Sequence, residues 1–309
     1  MIINTGQRTD IPAFYSKWFI NRLKEGYVLV RNPYYPNLVT KYKLNPDVVD
    51  VIGFCTKNPR PMFKYLDYLK PYGQFWYITI TGFDKDLEPN VPSIKDVIKD
   101  FKYLSNIIGK KSIAFRYTPI IINDKYDVNY HIKTFEYITK ELDGYTNLAV
   151  YGFIDLYDKI LKYHPELKDT NDENKILISK EFNKIAKEHH MQLRLCSKEK
   201  WLKEYGIDVN GCMRIEDYEN AINKKLIFKS KKESRKNYCS CYLSCDIGAY
   251  NSCMHLCRYC YANGDKNKII YNYNNHDENS PILIGKIHKE DEIKEAKQES
   301  WIDYTPTLF

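Results

Sequence analysis

The chain has 309 residues, 43% of them hydrophobic and 28% charged, with a formal charge of +7 from 47 basic and 40 acidic side chains. These are ordinary values for a globular protein of one large or two ordinary domains, and no apolar run approaches the roughly 18 residues that cross a bilayer. The opening MIINTGQRTDIP lacks the basic start and apolar block of a secretory signal, so the chain is expected in the cytoplasm, where clustered thiols are more often metal ligands than disulfides.

In chain order, short apolar and β-branched runs predict strands over residues 2–5, 27–31, 49–55, 75–81, 112–116, 148–153, 192–195 and 211–214. The segments between them read as helices. The clearest is 93–108, with Ser93 as N-cap, an apolar stripe through Ile94, Val97, Ile98, Phe101, Leu104 and Ile108, and Gly109 at its end. Residues 127–142 repeat the pattern, and Pro12 and Pro61 suit first helical turns. Shorter helices are expected over 179–189, 197–205 and 215–224, whereas 32–47, broken by prolines at 33, 36 and 46, carries only a poor one.

Eight strands alternating with helices point to an α/β fold, a (β/α)8 TIM-like barrel over residues 1–228, then a cysteine-rich segment (229–265) and a tail packing on the barrel (266–309). A doubly wound open sheet is the alternative, disfavoured by the lack of a Gly-rich dinucleotide loop. Active sites of such barrels lie at the C-terminal ends of the strands. The polar residues expected there are Arg8, Asp10, Arg31, Asn32, Lys57, Asn58, Thr81, Arg116, Asp155, Cys196 and Cys212. Some of these are helix caps or surface ion-pair partners. A charged group directly after a buried strand needs a partner, a ligand or water. Arg8, Asp10, Arg116 and Asp155 are therefore candidate catalytic residues, and Lys57 and Asn58 candidate cofactor-binding ones.

Six of the nine cysteines fall between Cys239 and Cys260. Cys253, Cys257 and Cys260 form C-x3-C-x2-C with Tyr259 before the last thiol. Three thiolates at that spacing can hold three irons of a [4Fe–4S] cube and leave the fourth open for chemistry; half a zinc knuckle is the alternative. CMHLCRYCYANG resembles the C-x3-C-x-aromatic-C motif of radical S-adenosylmethionine (SAM) enzymes. That resemblance implies a cluster whose open iron binds SAM, with Tyr259 beside the cofactor. SAM would be cleaved reductively to start radical chemistry on a substrate the sequence does not specify, with an electron donor such as flavodoxin or ferredoxin. Two departures stand out: the motif follows the last predicted strand rather than the first, and there is no Gly-Gly-Glu segment of the kind that holds the SAM amino group. In a closed barrel the last and first strands are neighbours, so a permuted motif reaches the same rim.

The resemblance extends along the chain. GQRTDIPAFYSKWFINRLKEGYVLVRNP, TKNPRPM, ITGFDKDLEPNVP, YHIKTFEYI, DIGAYNSCMHLCRYCYA and NHDENSPILIG together resemble the domain-of-unknown-function family numbered 1848, bacterial proteins with a C-terminal radical-SAM-like cysteine cluster. Membership supplies no substrate.

Cys196 ends the seventh predicted strand and Cys212 lies in the eighth. Adjacent strands would bring both near the Cys239-x-Cys241 pair, and the four thiolates would close a second site, an auxiliary [4Fe–4S] cluster or a structural zinc. The alternative for Cys196 and Cys212 is burial as small hydrophobes. The family resemblance implies cysteines at these four positions and leaves Cys245 a spare. Cys55 reads as packing, and His255 has no role that the motif requires. The basic run 224–236 reads as a solvated connector, so nucleic acid is a secondary expectation; the abundant Lys, Asn, Ile and Tyr fit an AT-rich genome equally well. Other readings of the whole are an iron–sulfur carrier or sensor, or a zinc-stabilised nucleic-acid binder.

Overall fold

The computed structural model describes residues 1–227 and 245–305. Cys239, Cys241 and most of the basic run lie outside the described residues.

Seven strands run parallel in one sheet: β1 (Ile2–Asn4), β4 (Val51–Thr56), β5 (Gly73–Thr79), β6 (Ile113–Ile120), β7 (Leu148–Phe153), β8 (Gln192–Leu195) and β9 (Cys245–Asp246), in the order β8-β7-β6-β5-β4-β1-β9. Both faces are covered, which is why these strands read as continuous apolar runs. One face carries Ile3, Phe54, Trp76, Phe115 and Tyr151 into the main core. There they meet α2 (Ser16–Glu25), α4 (Ile94–Ile108), α5 (Val128–Glu141) and α7 (Asp172–Glu188). The other face gathers Ile2, Val51, Phe75, Ala114 and Val150 into one cluster with Cys212, Met213 and Tyr218. Tyr218 belongs to α8 (Ile215–Ile222) and meets Phe75 edge-on at 5.7 Å. One guanidinium, Arg116 on β6, contacts both Cys55 on β4 and Cys196 just after β8, strands four spacings of about 4.8 Å apart in the sheet order, so the sheet is curled toward this face. Among the described residues no ladder joins β8 to β9, and only an isolated bridge, Arg194 to Asp208, extends the β8 edge.

Two expected strands belong elsewhere. Tyr27–Arg31 (β2) pairs antiparallel with Leu38–Lys43 (β3), and β10 (Glu292–Glu295) adds to β3 in a separate three-stranded sheet. The six intervening residues suffice for an antiparallel hairpin, whereas a parallel crossover needs a dozen or more. The poor helix expected over 32–47 does not form; its middle, Leu38–Lys43, is β3 and the rest is turn and loop. Residues 211–214 form no strand: Gly211 sits at φ 104° and the Cys212 carbonyl accepts from Tyr77 Oη at 3.2 Å, which turns the segment into the inner cluster. The position next to β1 is taken by β9.

The helices follow their local signals. Ser93 Oγ accepts from Asp96 N to cap α4, Asp127 caps α5, and Gly109 follows α4. The helix expected from 179 begins at Asp172 behind the Asn171 cap, and 200–205 is a 3₁₀ turn. Beyond β9, α9 (Lys266–Asn274) and the tail return to the main body. Trp18 Nε1 donates to the Ser280 carbonyl at 2.8 Å, and Asp50 accepts from Ser300 Oγ and Trp301 N. Among the described residues no helix is long and apolar enough to cross a membrane.

Candidate functional site

The C-terminal ends of β1, β4, β5, β6, β7 and β8 open on one cavity of about 410 Å³. That volume lies in the range of small-molecule sites. The parallel pairing of β9 with β1 (Ile3 opposite Cys245, Asn4 opposite Asp246) delivers the following cysteine loop to the same rim. Arg8, Asp10, Lys57, Arg116, Asp155, Cys196, Cys212, Cys253, Cys257, Tyr259 and Cys260 all line this cavity. Asn58 does not: its N–H closes a turn onto Thr56 Oγ1 at 2.9 Å. Arg31 and Asn32 sit with the second sheet, where Arg31 pairs with Asp291 and Asn32 Oδ1 accepts from the Tyr34 and Tyr35 amides.

The cysteine loop is held from three sides. The connection after β5 clamps it through the main chain: Asn90 N donates to the His255 carbonyl (3.2 Å), Asn90 Nδ2 to the Met254 carbonyl (2.7 Å), and Arg258 N to the Leu87 carbonyl (3.0 Å). From the N-terminal side, Tyr15 Oη donates to the Ser252 carbonyl at 2.6 Å. Asp10 joins several elements. Its Oδ1 caps α1 (Ile11–Phe14) at Ala13 N, and its Oδ2 accepts from Lys57 N at 2.8 Å and lies 2.9 Å from His255 Nε2. Within the loop, Asn263 Nδ2 donates to the Cys253 carbonyl at 2.8 Å. Leu256 adopts φ 56°, a left-handed conformation uncommon for a side chain of its kind, directly before Cys257.

Behind the loop lies a carboxylate that the sequence reading passed over. Glu88 Oε1, buried, accepts from Lys57 Nζ (2.9 Å), Thr81 Oγ1 (2.5 Å) and Tyr259 Oη. Its signal is tertiary only: Leu87-Glu88-Pro89 has no periodicity. His255, to which the motif gives no role, is almost wholly buried, bonded to Asp10 and edge-on to Phe14 at 4.6 Å. Cys55, read as packing, also lines the cavity.

Burial raises all three thiols of the motif. Asp10 and the other two thiols push Cys253 further up, and Glu88 does the same to Cys257. Against burial at Cys260 stand the Ala262 and Asn263 amides, Lys159 and Lys57. Thiols whose charged form is disfavoured by burial and by neighbouring negative charge stay protonated until a cation replaces the protons. Among the described residues no three His, Cys, Asp or Glu side chains are grouped to hold a single metal ion. An all-sulfur donor set spread over one loop matches a cluster in which each thiolate binds a different iron.

Deeper in the cavity, Cys196 Sγ and Cys212 Sγ lie 3.0 Å apart. Arg116 points Nη2 at Cys196 Sγ (3.7 Å) and Nη1 at Cys55 Sγ (4.0 Å), with its guanidinium 5.7 Å from the Tyr77 ring centre. Burial pushes the Cys55 thiol up to about 11, against the pull of Arg116. Arg8 donates Nε to Asp246 Oδ2 at 2.7 Å, tying the end of β1 to β9. Cys245 lies in β9 against the main core.

The architecture is therefore a curled parallel α/β sheet with a thiol-lined cavity at its C-terminal rim. The chain belongs to the family described as "Domain of unknown function (DUF1848)", whose model matches residues 2–262. No curated protein and no solved structure gives a significant match.

Proposed function

We propose that this protein is an iron–sulfur enzyme of the radical SAM type, with a [4Fe–4S] cluster held by Cys253, Cys257 and Cys260. The observation that carries the reading is that these three thiols open on the same cavity as the charged residues at the strand ends. When bound, such a cluster supplies one-electron reduction of SAM. The chain's own residues do the rest. Asp10 and the Glu88–Asn90 connection fix the cysteine loop, and Glu88 orients Tyr259 and Lys57 at the cavity wall. The curl of the sheet favours a (β/α)8-type barrel over an open doubly wound sheet. Cys196 and Cys212 are read as two ligands of a second cluster or a zinc site, with Cys239 and Cys241 as their partners. The reading requires a reducing, cytoplasmic setting and a low-potential donor such as flavodoxin or ferredoxin.

The lack of a Gly-Gly-Glu segment favours a second reading, an iron–sulfur carrier or sensor that does not cleave SAM. Anaerobically purified protein should carry about four irons and four sulfides at the three-cysteine site. The joint change of Cys253, Cys257 and Cys260 to Ala should remove that one cluster, and unchanged metal content in this variant would refute the assignment. With the cluster present, 5′-deoxyadenosine released from SAM under dithionite separates enzyme from carrier.

A further inference from the structure

We infer that Arg116 is a positioning residue for the second centre: its guanidinium donates to the Cys196 thiolate and supplies positive charge to the metal group that Cys196 and Cys212 hold. This rests on the reading of that pair as metal ligands. A zinc ion or an oxidised cubane bound by four thiolates is a dianion. Inside a protein such a charge is costly unless opposite charge and N–H donors compensate it. Hydrogen bonds to the ligand sulfurs are among the levers that set the affinity and the potential of metal–thiolate groups.

Arg116 is placed for that role. Its Nη2 lies 3.7 Å from Cys196 Sγ, which is itself 3.0 Å from Cys212 Sγ. The other lysines and arginines lining the cavity are held elsewhere. Arg8 is paired with Asp246, Lys57 with Glu88, and Lys200 Nζ donates to the Val209 carbonyl. Tyr77 supports both the arginine and a ligand. Its ring centre is 5.7 Å from the guanidinium, and its Oη donates to the Cys212 carbonyl at 3.2 Å. Cys55, the register partner of Tyr77 on β4, receives Nη1 at 4.0 Å. The planar fork thus rests on the ring and reaches two sulfurs at once, which the single ammonium of a lysine cannot reproduce.

The test is a Co2+ titration of the anaerobic, metal-free full-length chain in which Cys253, Cys257 and Cys260 are changed to Ala. Co2+ takes the tetrahedral thiolate set that zinc takes, and the thiolate-to-cobalt charge-transfer absorption reports it. The absorption should saturate in this background and vanish when Cys196 and Cys212 are also changed to Ala. Arg116→Met, which fills the volume without the charge, should weaken Co2+ binding by about tenfold to a hundredfold and leave the spectrum at saturation unchanged. Arg116→Lys should recover part of the loss, which a packing role alone would not produce. Should Arg116→Met fold poorly, Arg116→Gln takes its place. The inference is overturned, and the ligand assignment kept, if the neutral variant binds Co2+ as tightly as its parent or if Arg116→Lys binds no better than the neutral variant. An absorption that never appears, or that survives the loss of Cys196 and Cys212, overturns the ligand assignment and the inference with it.

Discussion

Glu88 gathers an ammonium, a hydroxyl and a phenol onto a single carboxylate oxygen beside the cysteine loop. Its side chain is 2% exposed and that of Lys57 12%, so the ion pair is shielded from solvent screening. Breaking such a pair by removing one charge leaves the other buried and uncompensated, at about 3 kcal/mol or more. Glu88→Gln should therefore lower the unfolding free energy by about that amount in urea denaturation, with the slope unchanged. Replacing both partners, as Lys57→Met with Glu88→Met, should recover much of the loss, because no orphaned charge remains. A Glu88→Gln protein unfolding at the wild-type midpoint would show that the pair carries no net stability.

At the scale of elements, α5 docks on β6 through a buried histidine. His131 accepts from Tyr117 Oη at Nδ1 (2.8 Å) and donates from Nε2 to the Ile121 carbonyl (2.9 Å), which fixes the neutral tautomer. Burial lowers its pKa from 6.5 to about 4, despite the Ile121 carbonyl and Asp127. Between those values the unfolded chain takes a proton that the folded chain refuses. Stability is thus fully present above pH 6.5, declines as pH falls through that window and is lost below about 4, by roughly 3 kcal/mol from this residue. Denaturation between pH 7.5 and 4.5 should show the decline, and His131→Gln should flatten it. A ring that titrates near 6.5 in the folded protein, followed by NMR, would rule this out. Elements of this kind were legible where cap and stripe lie on one segment, as with Ser93 and Asp127. They were illegible where pairing decides: β3 alternates through Leu38, Thr40 and Tyr42 but sits among prolines, and residues 211–214 carry a strand composition on a glycine turn. The same division holds in the candidate site. Regular spacing exposes Cys253, Cys257 and Cys260 in the sequence, whereas His255 and Cys55 reach the cavity, and Glu88 the back of the cysteine loop, only through the fold, and a lone residue has no pattern to read.

For the whole molecule, the curl of the sheet is what brings distant thiols together. Arg116 on β6 touches Cys55 on β4 and Cys196 just after β8, and Cys212 folds in from the segment before α8. At 3.0 Å, the Cys196 and Cys212 sulfurs are too far apart for a disulfide, whose bond is about 2.05 Å. They are close enough to share a metal, since bonds of about 2.3 Å in tetrahedral geometry bring ligand sulfurs within about 4 Å. A site built on this pair would pin the chain beyond β8 to the cavity and set a second centre beside the proposed cluster. The double change of Cys196 and Cys212 to Ala should then remove either about one zinc or about four irons with their sulfides, while the three-cysteine site keeps its own cluster. The three-cysteine variant should show the opposite loss, and the two losses should add. Elemental analysis and sulfide assay of both variants decide it. If the double variant retains all the metal of the wild type, the pair is a packing contact, and Arg116 faces ordinary thiols rather than the ligands of a metal.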